Sequence, residues 1–239
     1  MDIKLFSQEQ LCSAEPILPG QLHIWIMPNS GGHTILHQLL GFYLGCSPDD
    51  LLLKKGPHGK PELSGKYAGK IHFNLSHSGD QLALIFSVDS PVGIDIEKIH
   101  PVKKRARIAE RFFHPEETRL LREASSADSE ILFFRYWTMK EAFVKALGTG
   151  LSIPLNDFFI SPEPYDTLPI YRITKSRKDY SSWRIQTIPA PACYQCSIAY
   201  EIIQTGMKSH IRALLRALLM SLQSQKSPGS FPLEQTAPA

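Results

Sequence analysis

The chain has 239 residues, enough for one large domain or two small ones with a proper core. Its 43% hydrophobic and 21% charged content excludes collagen-like, coiled-coil and wholly disordered classes. A net charge of +3 is too slight for a dedicated nucleic-acid binder, although it favours an anionic ligand.

In chain order, Leu22 to Met27 reads as a buried strand ended by the Pro-Asn-Ser-Gly-Gly breaker at 28–32. Thr34 to Leu44 reads as a helix, and Gly56 to Pro61 as a turn-rich loop. Strands follow at Ile71–Leu75, which runs into Ser76-His77-Ser78, then at Gln81–Val88 and Val92–Glu97. These neighbours are expected to form the sheet of a first half. Arg105–Phe113 and the segment opening at Pro115-Glu116-Glu117 read as helices. A long helix is expected from about Ser129 to Leu147, stopped by Gly148. Strand-like stretches then cover Phe158–Ile160, Ile170–Ile173, Trp183–Ile188 and Tyr194–Tyr200. No internal repeat and no clean βαβ rhythm is present, so the fold class expected is α+β.

The last residues change character. Ile211, Leu214, Leu215, Leu218, Leu219 and Leu222 form one apolar helical stripe, decorated by Lys208, His210, Arg212, Arg216 and Lys226. Such a helix docks on its own domain, on a partner or on a membrane surface, and the Pro/Ser-rich tail after it reads as disordered. No apolar run approaches the ~20 residues of a membrane span, and the first twelve residues lack a secretory apolar stretch. A soluble, cytoplasmic protein is expected. The four cysteines agree, being too sparse for a disulfide scaffold. Cys193 and Cys196 in CYQC have no companion ligands for a structural zinc and read as part of a strand.

Three clusters carry chemistry. In Val92-Gly93-Ile94-Asp95-Ile96-Glu97 the two carboxylates share one face of a strand and Ile94 and Ile96 the other. Paired carboxylates repel unless a cation lies between them, and hard oxygen ligands suit Mg²⁺; the alternative is a solvated strand edge. On the long helix, Glu141 and Lys145 are i, i+4 neighbours on the side of Phe134 and Trp137. They form either a surface pair or a third metal ligand flanked by phosphate-binding lysines. At 73–78, Phe-Asn-Leu-Ser-His-Ser presents hydroxyls and an imidazole at a strand end. Adjacent strand residues point opposite ways and no G-x-S-x-G elbow is present, so a phosphate contact or a turn fits better than a Ser-His nucleophile.

FNLSHS, VGIDIEKI, RFFHPEE and YWTMKEAFVKALGTGL, in this order and spacing, together with Gly59-Lys60-Pro61, resemble the Sfp-type 4'-phosphopantetheinyl transferases. The resemblance is strong over about residues 56–160 and weaker over the rest of 22–200. It implies two pseudo-symmetric α+β halves (1–96 and 97–206) with the active site in the cleft between them, followed by the amphipathic helix and tail at 207–239. It further implies Mg²⁺ as cofactor, coenzyme A as substrate, and an acyl- or peptidyl-carrier protein as partner. The carrier serine would receive phosphopantetheine, with release of 3',5'-ADP. Carried over residue by residue, Asp95, Glu97 and Glu141 would hold the metal. Lys60, Pro61, Ser76, His77, Lys140 and Lys145 would contact the nucleotide, and Glu117 and Lys145 would act in catalysis. Glu117 is equally placed to cap the helix after His114.

The pattern departs from the family in one place. A basic helical segment usual after the first strand is absent, and His37 stands near an expected arginine. The alternative to an active, monomeric transferase is therefore a non-catalytic module derived from this family that binds coenzyme A or a carrier protein.

Overall fold

The computed structural model describes residues 1–162, 170–174, 176 and 178–202. The amphipathic stripe at 211–222 and the tail lie outside the described residues. The chain begins with β1 (Asp2–Phe6), β2 (Gln21–Pro28) and α1 (Gly32–Leu44). A short hairpin follows, β3 (Leu53–Lys55) and β4 (Pro61–Leu63), then β5 (His72–Ser78), β6 (Gln81–Ser87) and β7 (Val92–Lys98). Next are α2 (Arg105–Phe112), α3 (Pro115–Glu123) and α4 (Ser126–Leu147). Strands β8 (Phe159–Pro162), β9 (Ile170–Thr174), β10 (Trp183–Ile188) and β11 (Tyr194–Glu201) complete the described residues. The fold is α+β, and the described residues belong to one unit spanning Met1–Ile203.

Two sheets build it. One has the order β1-β2-β6-β5, the other β7-β11-β10-β9-β8. Strand β7, which the sequence reading grouped with the first sheet, instead pairs antiparallel with β11, from Val92↔Tyr200 to Lys98↔Tyr194. Its alternation explains its position. Ile94 and Ile96 pack with Leu22, Ile24, Ala83 and Ile85 of the first sheet, while the odd-numbered residues of β7 face the other way, towards α4. On the far side of the first sheet, Trp25, Met27, Leu84 and Phe86 bury against Ile35, Leu36, Leu39 and Leu40 of α1. These α1 positions are the one apolar stripe a 3.6-residue period allows. Gly45 ends α1 in a left-handed conformation, its N–H capping Gly41 and Phe42 carbonyls.

Three local differences from the sequence expectation have simple causes. β1 was not expected; it runs parallel to β2, Asp2↔Gln21 to Phe6↔Trp25, and none of its residues is fully buried, as on an edge strand. The 56–61 loop is the turn of the β3–β4 hairpin, whose strands are too short to carry a period. α4 starts at Ser126 because the Ser125 hydroxyl caps the Asp128 N–H at 3.2 Å. In CYQC only Cys193 stands outside the strand, at φ 65 in the preceding turn; both cysteines are free and Cys196 is buried.

α4 crosses β7 at Gly93. A Cβ there would lie 2.0 Å from the Ala142 carbonyl oxygen and 2.5 Å from the Ala146 nitrogen. Neither is a side chain that can swing away, so the helix must be displaced. Gly93→Ala is expected to lower stability by about 2–3 kcal/mol, read from the urea midpoint. An unchanged midpoint would mean that the helix does not rest on this glycine.

Candidate functional site

The close crossing at Gly93 brings the next odd-numbered residues of β7 against α4. Asp95 is 3% exposed, and its Oδ1 accepts hydrogen bonds from Ser76 Oγ (2.8 Å) and Lys145 Nζ (2.6 Å). Lys145 Nζ also donates to Ser76 Oγ at 2.9 Å, closing a triangle between β5, β7 and α4. Glu97 Oε2 accepts from Ser78 Oγ at 2.7 Å. Asn74 accepts from the Ile94 N–H at 3.0 Å. Asn74, Ser76 and Ser78 thus work as one strand face that fixes β5 on β7. The His77 side chain is exposed, and among the described hydrogen bonds Ser76 serves the Asp95 carboxylate and forms no Ser-His pair.

Charge is concentrated here against the dielectric. Burial pushes the Asp95 carboxyl up to about 6, with Lys145 pulling it back down and Glu97 adding to the rise. Glu141 is half-buried and also raised, by burial first and by Glu97, against the pull of Lys145. Glu97 thus adds to the rise at both Asp95 and Glu141.

A cleft of about 680 Å³ opens beside them, within the range of small-molecule sites. Of the residues the sequence singles out, Lys60, Pro61, Ser76, His77, Glu141 and Lys145 line it. Asp95 lies behind Ser76 and Lys145, and Glu97 beside Ser78. Lys60 lines the cleft, but its ammonium points into the frame. Nζ donates to the carbonyls of Lys145 (2.7 Å), Val92 (3.1 Å) and Ala146 (3.4 Å). An ammonium has three N–H groups, so all are committed to pinning the end of α4 on the start of β7. Burial lowers Lys60 to about 8.

The structure does not bring Glu117 or Lys140 to this cleft. They pair with each other at 2.9 Å, both side chains 0% exposed. Glu117 also accepts from the His114 N–H at 2.9 Å, the capping box at the start of α3, and from the Ile160 N–H at 3.0 Å. Lys140 donates to the carbonyls of Leu155 (2.7 Å) and Phe158 (2.8 Å). Burial pushes Glu117 up and Lys140 down to about 8, each opposed by the partner's charge. The pair ties α3, α4 and β8 together. Its residues alternate on α4 with those of the cleft, since Lys140 and Glu141 are neighbours pointing about 100° apart.

Could a metal be held? Among the described residues, no three His, Cys, Asp or Glu side chains stand grouped as a ready-made metal cage. The donor set still fits a hard cation. Asp95 Oδ2 is buried without a hydrogen-bond partner, a costly state for a carboxylate oxygen. Glu97 and Glu141 supply further oxygen donors, Glu97 close enough to raise Glu141. Mg²⁺ needs only one or two carboxylates when waters and ligand phosphates complete its shell.

The cleft is also lined by His33 and His37 of α1, Lys54 and Lys55 of β3 and His58 in the hairpin turn; of these the sequence singles out His37 alone, as standing near an expected arginine. Their signal was a cluster of cationic residues on elements too short or too far apart in sequence to read as one surface.

The chain is similar to known proteins of one family. The family described as the 4'-phosphopantetheinyl transferase superfamily matches residues 91–199. The 4'-phosphopantetheinyl transferase gsp of Aneurinibacillus migulanus is 30% identical over 197 residues, covering 82% of this chain and 79% of that protein. The 4'-phosphopantetheinyl transferase HetI of Nostoc sp. (strain PCC 7120) is 38% identical over 124 residues, covering 52% of each. The chain thus spans about half the length of HetI and 79% of gsp. A solved holo-(acyl-carrier-protein) synthase from Bacillus anthracis in complex with CoA (3',5'-ADP) superposes with a TM-score of 0.39 at 16% identity, covering 46% of this chain and 94% of that one.

Proposed function

Because this chain belongs to the 4'-phosphopantetheinyl transferase superfamily, we propose that it moves phosphopantetheine from coenzyme A to a serine of an acyl- or peptidyl-carrier protein, releasing 3',5'-ADP. The observation that carries the reading is the Asp95–Lys145–Ser76 triangle at the back of a cleft sized for a small ligand. Attack on a diphosphate needs positioning and charge neutralisation more than covalent help from the protein.

Each residue then has a task that follows from its place. Asp95, Glu97 and Glu141 would hold Mg²⁺, and the orphaned Asp95 Oδ2 is the oxygen with most to gain. The ion, when bound, polarises the diphosphate oxygens and eases departure of the nucleotide. Lys145 uses two N–H groups on Asp95 and Ser76, which leaves a third for a phosphate oxygen, and its side chain is 29% exposed. Ser76 and Ser78 keep the carboxylates from swinging away. Lys60 holds the backbone of Lys145 and so fixes the root of that side chain. The nucleophile is the partner's hydroxyl, so no Ser-His-Asp set is needed within this chain. Among the described residues no helix is long and apolar enough to cross a membrane.

Intact mass spectrometry of an apo carrier domain incubated with this protein, coenzyme A and Mg²⁺ tests the reading. The expected result is a mass gain of one phosphopantetheine, abolished by EDTA and restored by Mg²⁺. No gain across several carriers, with coenzyme A still bound, would point instead to a non-catalytic module.

A further inference from the structure

β5 and β7 belong to different sheets and share no backbone ladder. Side-chain bonds join them instead: Asn74 to the Ile94 N–H, Ser76 to Asp95 and Ser78 to Glu97. The first two are buried. The Ser78–Glu97 bond is only partly so, and water competes there for both partners. Burial therefore holds Asp95 in place, and Glu97 is the less constrained of the two carboxylates on β7.

Just beyond Ser78 the chain turns back through Gly79 and Asp80, a two-residue hairpin turn between Ser78 and Gln81. Tyr194, which opens β11 and pairs with Lys98, reaches across to it. The phenol donates to Asp80 Oδ1 and accepts from the Asp80 N–H at 3.2 Å. It lies so close over the turn that a Cβ on Gly79 would stand 2.5 Å from its oxygen. The residue before Tyr194 is strained: among the described residues Cys193 alone, apart from glycines, has a positive φ, at 65. The Cys193 carbonyl accepts from the Ile99 N–H at 2.8 Å, and the Tyr194 N–H donates to the Pro191 carbonyl at 3.0 Å. Such a backbone state persists where its surroundings over-determine it, and here it sets the aim of Tyr194.

The contacts close a ring. Ser78 Oγ donates to Glu97 and accepts from the Lys98 N–H at 3.1 Å. Lys98 pairs with Tyr194, and Tyr194 holds the turn that Ser78 enters. On its other side the Asp80 carbonyl accepts from the Asn29 N–H at 2.8 Å, at the end of β2.

We propose that Tyr194 and Asp80 form a clasp that locks the β5–β6 turn to the start of β11 and thereby positions Glu97 for a divalent cation. This deepens the metal-site reading above and rests on it. Neither residue touches the ion or the nucleotide. They keep Ser78 within hydrogen-bond distance of Glu97, so the carboxylate is ordered before the cation arrives and less freedom is lost on binding. Opening the clasp should weaken the cation's binding and leave the rate with the site full nearly unchanged.

The test uses Mn²⁺ as probe, titrated at fixed coenzyme A and followed by electron paramagnetic resonance, beside the Mg²⁺ dependence of carrier modification. Tyr194→Phe keeps the ring and removes the hydroxyl, Asp80→Ala removes the acceptor, and Asp80→Asn keeps an acceptor oxygen. The first two are expected to raise the Mn²⁺ dissociation constant and the half-saturating Mg²⁺ about five- to tenfold, the loss of one hydrogen bond. Transfer at saturating Mg²⁺ should stay within about twofold, Asp80→Asn should bind Mn²⁺ within about twofold of the parent, and the double variant Tyr194→Phe/Asp80→Ala should be no weaker than either single one. Coincident Mn²⁺ curves for parent and Tyr194→Phe, with only the urea midpoint lowered, would reduce the clasp to a structural brace and overturn the proposal. A parent that binds no Mn²⁺ would remove the metal site and the clasp together. Mn²⁺ curves that part as expected, in a protein that modifies no carrier, would uphold the clasp and overturn the transferase reading alone.

Discussion

Asp95→Asn is expected to abolish carrier modification, by at least about 10³-fold, while leaving the metal-free protein as stable as the parent or more so at neutral pH. The two halves of this expectation have one cause. The carboxylate is 3% exposed and one of its oxygens has no partner. Burial raises it from 3.8 to about 6 even with Lys145 at 2.6 Å, which is on the order of 3 kcal/mol of strain on the charged form. Because the folded-state value lies above the unfolded one, the group's stabilising contribution is fully present below about pH 4. It is lost as pH rises through 6. An asparagine removes that slope and keeps the shape. Denaturant unfolding in EDTA at pH 4, 5, 6 and 7 should therefore show the variant gaining about 1–3 kcal/mol on the parent between the ends of the series. Mg²⁺ should then raise the melting temperature of the parent and leave the variant unmoved, as expected of a ligand bound only by the native site. A variant that loses stability in parallel with activity would mean that Asp95 is a framework residue.

Lys140→Met should be the most damaging single change to stability, costing about 3–5 kcal/mol. It strands the Glu117 carboxylate, 0% exposed, together with the carbonyls of Leu155 and Phe158. Adding Glu117→Gln removes the buried charge and should recover more than half of the loss, because the His114 and Ile160 N–H groups still have an oxygen to meet. Urea midpoints at constant m-value measure both steps. The double variant also separates structure from chemistry. If the pair only braces α4, transfer returns with the fold; if Lys140 touches the nucleotide, a stable double variant stays inactive. A loss below about 1 kcal/mol for Lys140→Met would show that water reaches the pair.

Much of the site was legible because its chemistry is written at short range. Asp95 and Glu97 share a face by the two-residue repeat of a strand, and Glu141 and Lys145 by the four-residue spacing of a helix. Those periods hold in any fold that keeps the elements. Metal ligation was one of two readings the carboxylates themselves allowed, while the coenzyme A contact and the division into halves were expected only from the family resemblance. What failed was of another kind. Lys140 and Glu117 were grouped with the cleft because lysine and glutamate beside such motifs read as phosphate and proton partners, whereas Lys60 does line it but turns its ammonium to backbone carbonyls. Yet Lys140 adjoins Glu141 in sequence and points into a different compartment. An ammonium's target depends on which carbonyls come within about 3 Å, and those of Leu155 and Phe158 lie 15 and 18 residues away.

By itself, the sequence determined the α+β class, the long helix with its glycine stop, the buried strands and the carboxylate face of β7. Each is set by hydrophobic periodicity or by a cap within a few residues. The tertiary structure alone decided that β7 leaves the first sheet to pair with β11, that α4 rests on Gly93, which lysines are spent on the frame, and that four histidines and two lysines meet at one lip. These follow from contacts between residues tens of positions apart, where burial, steric exclusion and the count of available N–H groups select the partner and no local period records the outcome.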